Sequence, residues 1–117
     1  DTTSVQLWFA SGATGYISTL MATASLWRLH LFGSKAWVQM NGQNEIITSF
    51  INQKPKTKQF SDANIERLEL ESFAQSILNP ISYPVSEEEV LNGVSTFEAI
   101  SKSIKENGSK VLTSEIK

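Results

Sequence analysis

The apolar residues of this chain change their spacing about halfway along its 117 residues. Up to about residue 51 they alternate with polar residues, and a period of two is typical of β-strands. From residue 65 they recur every three or four positions, which is typical of amphipathic helices. Strands followed by helices predict an α+β domain, with an antiparallel-rich open β-sheet and two main helices packed on one of its faces.

The strands predicted from alternation lie mostly in the first half of the chain. They span residues 5–9, 16–23, 27–32, 36–40 and 45–51, with a short closing strand at 110–112. The glycine-containing turn at 11–15 predicts that the first two strands pair as a hairpin. Residues 54–58 are interpreted as a loop or as an edge segment whose lysines and proline protect it from aggregation.

Two amphipathic helices are predicted in the second half. The first lies between the polar residues 61–64 and Pro80, because proline disfavours the helical conformation in the residue before it. The second begins at Ser86, which forms a capping box with Glu89. It ends near Gly108, a plausible C-terminal glycine cap.

The composition excludes several classes of function. Ten basic and 12 acidic residues give a net charge of −2, which is too little positive charge to bind a nucleic-acid backbone. With no cysteine and one histidine, neither a thiolate metal site nor a cysteine nucleophile is expected. Serine, threonine and glycine interrupt the weakly charged first part of the chain, so we expect no membrane span, no secretory leader and a cytoplasmic location.

Alternation also divides the strand residues between two faces of the predicted sheet. One face is aliphatic and suited to lie under the helices, with Val5, Leu7, Phe9, Trp27, Leu29, Leu31, Ala36, Val38 and Met40. The other combines large rings, amides and one arginine, with Gln6, Trp8, Arg28, His30, Phe32, Trp37 and Gln39. Such a mixture is typical of a subunit interface or a ligand platform. The alternative is that the rings fill a second, minor core or pack under the tail of the chain.

The candidate substrate or subunit interface therefore consists of Trp8, Arg28, His30, Phe32 and Trp37. A histidine can act as a general base, but the sequence supplies no residue to orient this one, so a structural histidine is the favoured interpretation. The arginine can clamp a carboxylate or pair with a neighbour, and structural pairing is favoured. No catalytic, cofactor-binding or metal-binding residue is assigned, so the residues alone indicate a binding domain.

Several short segments follow one another in a recognisable order. After the hydroxyl-rich hairpin come Leu26-Trp27-Arg28-Leu29-His30-Leu31-Phe32-Gly33-Ser34-Lys35-Ala36-Trp37-Val38, Glu69-x-x-x-Phe73-Ala74-x-x-Ile77, Tyr83-Pro84-Val85-Ser86, Val94-x-x-Phe97-Glu98-Ala99-Ile100-x-x-Ser103 and Gly108-x-x-Val111. Together they resemble the C-terminal domain of the glucose-fructose oxidoreductase / inositol dehydrogenase / MocA family, over residues 3–112.

The resemblance implies an NAD(P)-dependent oxidoreductase that acts on a sugar, cyclitol or related hydroxyl compound. It implies an N-terminal Rossmann domain that binds the cofactor, and an open sheet that commonly forms the subunit interface. The Rossmann glycine motif and the family's Glu-Lys-Pro motif do not occur in this sequence, so the resemblance places the catalytic residues before Asp1.

We therefore expect residues 1–117 to form a single C-terminal-type domain that binds substrate, forms homo-oligomers through its open sheet face, and is inactive and free of cofactor by itself. The alternative is a free-standing α+β module that binds a small ligand or dimerises, with no catalytic role.

Overall fold

The computed structural model describes residues 1–79 and 81–116, so Pro80, the predicted stop of the first helix, lies outside the described residues. Over these residues the chain forms six antiparallel strands in two sheets and two α-helices, which confirms the predicted α+β class. The chain divides into two compact units, of which the second is Met21–Glu69 and the first combines Asp1–Leu20 with the chain from Leu70 onward. A single domain over residues 1–117 stays a prediction.

The first unit begins with a two-stranded hairpin. Strand β1 (Thr2–Trp8) pairs antiparallel with β2 (Thr14–Leu20), which confirms the predicted hairpin. In the turn, Gly12 adopts a φ of +87°, a left-handed conformation that favours glycine. Its N–H donates to the carbonyl of Phe9 at 2.9 Å. Along β1, exposed and half-buried residues alternate, as the period of two predicts.

The second unit contains a four-stranded antiparallel meander. Its strands are β3 (Arg28–Phe32), β4 (Ala36–Asn41), β5 (Glu45–Phe50) and β6 (Lys56–Gln59), in that spatial order. Short turns join successive strands, so each strand pairs with its neighbour along the chain. The lysine-containing segment predicted as a loop or an edge segment contributes to the edge strand β6.

The aliphatic residues of β3 and β4 share one face of this sheet, as predicted, but that face is not fully covered. The sequence predicts burial for Leu29 and Leu31, yet they are 48% and 56% exposed. Trp27, just before β3, is exposed as well. A sheet satisfies its backbone hydrogen bonds within its own layer, but it buries a face only where a second layer packs against it.

The two helices lie where the sequence predicts them, at α1 (Ile65–Leu78) and α2 (Glu87–Lys105). No helix in the described part of the chain is sufficiently long and apolar to cross a membrane. The closing strand predicted at residues 110–112 is wrong. A strand needs a neighbouring edge for its hydrogen bonds, and no described strand pairs with this segment, which leads into a 3-10 turn at Thr113–Glu115.

Local hydrogen bonds fix both ends of α2. The Oγ of Ser86 accepts from the N–H of Glu89 at 3.2 Å, and the Glu89 carboxylate accepts from the N–H of Ser86 at 2.8 Å, which confirms the capping box. At the other end Asn107 adopts a φ of +59°, and the N–H of Gly108 donates to the carbonyl of Ser103 at 2.8 Å. This is a Schellman motif in which the left-handed position falls on Asn107, one residue before the predicted cap.

Replacing Ser86 with alanine is expected to loosen the first turn of α2. Losing an N-cap side chain typically costs about 1 kcal/mol, which corresponds to roughly fivefold faster amide exchange in that turn. Hydrogen–deuterium exchange over residues 87–90 measures this change. Ser101→Ala, an exposed serine in the middle of the same helix, is the matched control and should leave the exchange rates of that turn unchanged.

The same substitution should shift the titration of Glu89. Hydrogen bonds from the backbone and then the side chain of Ser86 hold the pKa of Glu89 below its ordinary value of 4.5. Ser86→Ala removes one of them, so this pKa should rise toward 4.5, as followed by NMR. Because the folded pKa is lowered, the stabilisation is present above the unfolded value and is lost as pH falls through the folded one.

Candidate functional site

The strand register brings Arg28, His30, Phe32 and Trp37 onto one face of the four-stranded sheet. Phe32 is the cross-strand partner of Trp37, and His30 and Arg28 follow at alternate positions of β3. Antiparallel partners project their side chains to the same side of a sheet. We call the surface formed by these four residues the ring face, and it contains four of the five interface residues predicted from the sequence.

Trp8, the fifth predicted residue, belongs to a different sheet. It ends β1, whose hydrogen-bonded neighbour in the described chain is β2. The expectation that Trp8 shares one sheet face with Trp37 is therefore wrong. Alternation shows which residues of a strand share a side, but it does not show which strands belong to the same sheet.

The surface around Trp8 is rich in hydroxyl groups. Trp8 is exposed and lies on the same side of the hairpin as Tyr16, whose hydroxyl donates to the Oγ of Ser4 at 3.1 Å. Hydrogen bonding with Ser4, and secondarily with Ser18, lowers the pKa of Tyr16 below its ordinary value of 10.0, since both hydroxyls can rotate to donate to the phenolate.

On the ring face, His30 lies between two aromatic rings. Its imidazole stacks on Phe32 with ring centroids 4.0 Å apart, and it meets Trp37 edge to face at 5.2 Å. Its Nε2 is shielded from solvent and has no hydrogen-bond partner among the described residues. An unpaired buried polar atom costs about 1–3 kcal/mol. The Phe32 side chain is itself 77% exposed, so the cluster combines an uncovered ring with an unsatisfied nitrogen.

A chain of side-chain hydrogen bonds crosses the same face of the sheet. The Nε2 of Gln39 donates to the Oδ1 of Asn41 at 2.6 Å, and the Nδ2 of Asn41 donates to one carboxylate oxygen of Glu45 at 2.8 Å. The other oxygen of Glu45 accepts from Gln59. These bonds connect β4, β5 and β6, and they hold the polar part of the face in place.

Sequence reasoning placed Gln39 on this face but missed Asn41, Glu45 and Gln59. Asn41 lies opposite Glu45 across the turn at residues 42–44 in the register of β4 with β5, and Gln59 lies opposite Glu45 in the register of β5 with β6. Because the length of a turn fixes the register of a hairpin, the position of the glycine-containing turn at 42–44 was the signal that could have found Asn41 and Glu45.

Arg28 lies beside this polar chain, opposite Asn41. It is exposed, and no ion pair or side-chain hydrogen bond of Arg28 is present within the described residues, so the structural pairing favoured from the sequence is not found. A guanidinium in this position can bind a carboxylate in bidentate fashion. The described residues contain no group of three or more histidine, aspartate and glutamate side chains that could hold a metal ion.

The opposite face of the sheet is apolar. An open depression there is lined by residues including Leu31, Ala36, Val38, Thr48 and Phe50. We call this surface the aliphatic face. Neither a protein-family model, nor a curated protein, nor a solved structure matches this chain.

Replacing Glu45 with alanine is expected to loosen β6. The substitution removes the carboxylate that accepts from Asn41 and Gln59, a loss of roughly 1–2 kcal/mol and about tenfold faster exchange of the amides at residues 56–60. Hydrogen–deuterium exchange followed by mass spectrometry measures the effect. Gln43→Ala, in the neighbouring turn, should not change the exchange of β6. Equal exchange in both variants would show that the polar chain does not hold this strand.

Proposed function

We propose that this chain is a binding and oligomerisation domain with no catalytic residues of its own, and that its ring face is the binding surface. The proposal rests on the cluster in which the exposed ring of Phe32 stacks on His30, whose buried Nε2 has no hydrogen-bond partner among the described residues. A partner surface that receives the Phe32 ring in a pocket also approaches the stacked imidazole and can offer a polar group to Nε2. Binding can therefore bury apolar area and satisfy a polar atom in one step.

The side chains of the ring face are of the kinds that contribute most to binding energy. Burying a phenylalanine side chain contributes about 1.5–3 kcal/mol, and binding energy at interfaces is concentrated in aromatic and arginine residues. The ring face supplies Phe32, Trp37 and Arg28 within one small area. Only the surplus over the costs of association appears as affinity, so the surrounding surface must also fit the partner.

A second copy of the chain is the partner we propose for the ring face. A two-fold dimer is the most common closed assembly, and it lets one patch recognise itself. The resemblance of the ordered segments supports placing this domain in an NAD(P)-dependent oxidoreductase. In that protein a Rossmann domain would bind the cofactor, and the substrate would be a sugar, cyclitol or related hydroxyl compound.

A small-ligand module is the second candidate, and the hydrogen-bonded chain through Asn41 and Glu45 favours it. Amide and carboxylate groups beside an arginine suit a ligand that carries hydroxyl and carboxylate groups. The two functions differ in one measurable respect. A ligand module binds its small molecule as a monomer, whereas the oligomerisation domain loses function when self-association is lost.

Replacing Phe32 or Trp37 with serine is expected to weaken self-association. Removing one aromatic anchor worth about 1.5–3 kcal/mol raises the dissociation constant by roughly tenfold or more. Phe50→Ser is the matched control, because Phe50 is an exposed phenylalanine of the same sheet that lies on the aliphatic face. Sedimentation velocity over a range of concentrations measures the association, and circular dichroism checks that the variants fold.

Two results contradict this assignment of the ring face. One is a wild-type chain that remains monomeric at high concentration. The other is a Phe50 variant that weakens association as much as the Phe32 variant does. If Trp37→Ser unfolds the sheet, Phe32→Ser still tests the assignment, because the exposed Phe32 can be replaced with little expected effect on the sheet.

This chain alone is expected not to bind NADH or NADPH. Neither described α-helix begins after a glycine-rich turn, which is the structure that receives the cofactor's pyrophosphate. Titration followed by the fluorescence of the reduced cofactor measures binding directly. Saturable binding in the micromolar range would contradict a domain that depends on a separate Rossmann domain for its cofactor.

A further inference from the structure

Strand β3 is at one edge of the four-stranded sheet, and no strand of the described residues pairs with its outer side. The N–H of Gly42 donates to the carbonyl of Trp27, and the N–H of Gly33 donates to the carbonyl of Ala36, each at 2.9 Å. Odd-numbered residues of this segment therefore bond toward β4. In an antiparallel pair, residues whose N–H and C=O groups bond to the partner strand alternate with residues whose N–H and C=O groups point away from that strand. The outward groups belong to Arg28, His30 and Phe32.

The two edges of this sheet differ in their protection. At the other edge, β6 carries Lys56 and Lys58 on a four-residue strand. Lysines on a short edge strand disfavour pairing with a further strand. The outer edge of β3 has one charged residue, Arg28, and two exposed leucines, Leu29 and Leu31. The sheet is thus open to extension on the β3 side.

We propose that β3 pairs antiparallel with β3 of a second copy of the chain, about a two-fold axis at His30. In this register Arg28 lies opposite the partner's Phe32, and Leu29 lies opposite the partner's Leu31. The outward positions 28, 30 and 32 then face one another and exchange two hydrogen bonds in each pair. This central register pairs all five residues of the strand.

The side chains of β3 are complementary to their own two-fold copy. The guanidinium of Arg28, which has no ion pair in the described chain, meets the exposed ring of Phe32, and a cation over a phenylalanine ring contributes about 0.5–1 kcal/mol at an exposed site. On the aliphatic face the two leucines form cross-strand apolar pairs. The outcome is a continuous eight-stranded sheet made from two sheets of four strands.

This pairing joins the backbone edges of two sheets, whereas association through the ring face joins the faces themselves; both use Arg28 and Phe32, but only the edge pairing brings Leu29 and Leu31 of two copies together. Leu29 and Leu31 lie on the aliphatic face, away from Trp37. Contacts between two ring faces do not bring these leucines together. A test at the leucine positions therefore separates the edge pairing from the proposed function.

Cysteine cross-linking tests the register directly, because the chain has no cysteine of its own. The residues Leu29 and Leu31 of opposite copies fall at sites where Cα atoms are about 4.5 Å apart, within disulfide range. Two copies of Leu29 are about 7–8 Å apart, which is too far. We expect an equimolar mixture of Leu29→Cys and Leu31→Cys chains to give a disulfide dimer of twice the 13.0 kDa chain mass, and each variant alone to form no disulfide dimer.

Two further variants complete the experiment. His30→Cys alone should form the dimer, because this position faces its own copy, and Lys56→Cys, on the protected edge, should not. Adding Trp37→Ser to the leucine variants should leave cross-linking intact. The proposal is overturned if the mixture gives no heterodisulfide, if Leu29→Cys alone cross-links as well as the mixture, or if Lys56→Cys does so.

Discussion

The backbone hydrogen-bond ladder of the four-stranded sheet is the interaction on which the rest of the structure depends. It aligns four strands in one layer and fixes which side chains share a face. A single layer, however, cannot cover its own faces, and the residues buried within the described chain are Ser49 and Ala99. Side-chain packing therefore contributes little here, and the exposed rings and leucines follow from that lack of cover.

Features that depend on a few neighbouring residues were predictable from the sequence. The capping box of α2 needs only Ser86 and Glu89 at the right spacing, and the hairpin turns need glycine at positions that short loops require. Alternation likewise placed Arg28, His30, Phe32 and Trp37 on one face, because β3 and β4 are joined by a short turn that fixes their register.

Features that depend on distant residues were not predictable in this way. No local signal showed that Trp8 lies in a sheet separate from β3, or that Leu29 stays about half exposed. The unpaired Nε2 of His30 results from the ring positions around it, and a sequence pattern does not encode such positions. The chain through Glu45 was missed because it crosses three strands, and its members are adjacent only once every register is known.

The unequal edges of the four-stranded sheet also limit how far an assembly can grow. A sheet with two open edges can add strands at both ends and form fibres, which is a hazard for any exposed strand. Here Lys56 and Lys58 disfavour further strand pairing at the β6 edge, whereas the β3 edge has no lysine. Under the proposed pairing of β3 with its copy, the one open edge of each sheet is occupied, so growth in the hydrogen-bonding direction would stop at two chains and would not lead to polymerisation.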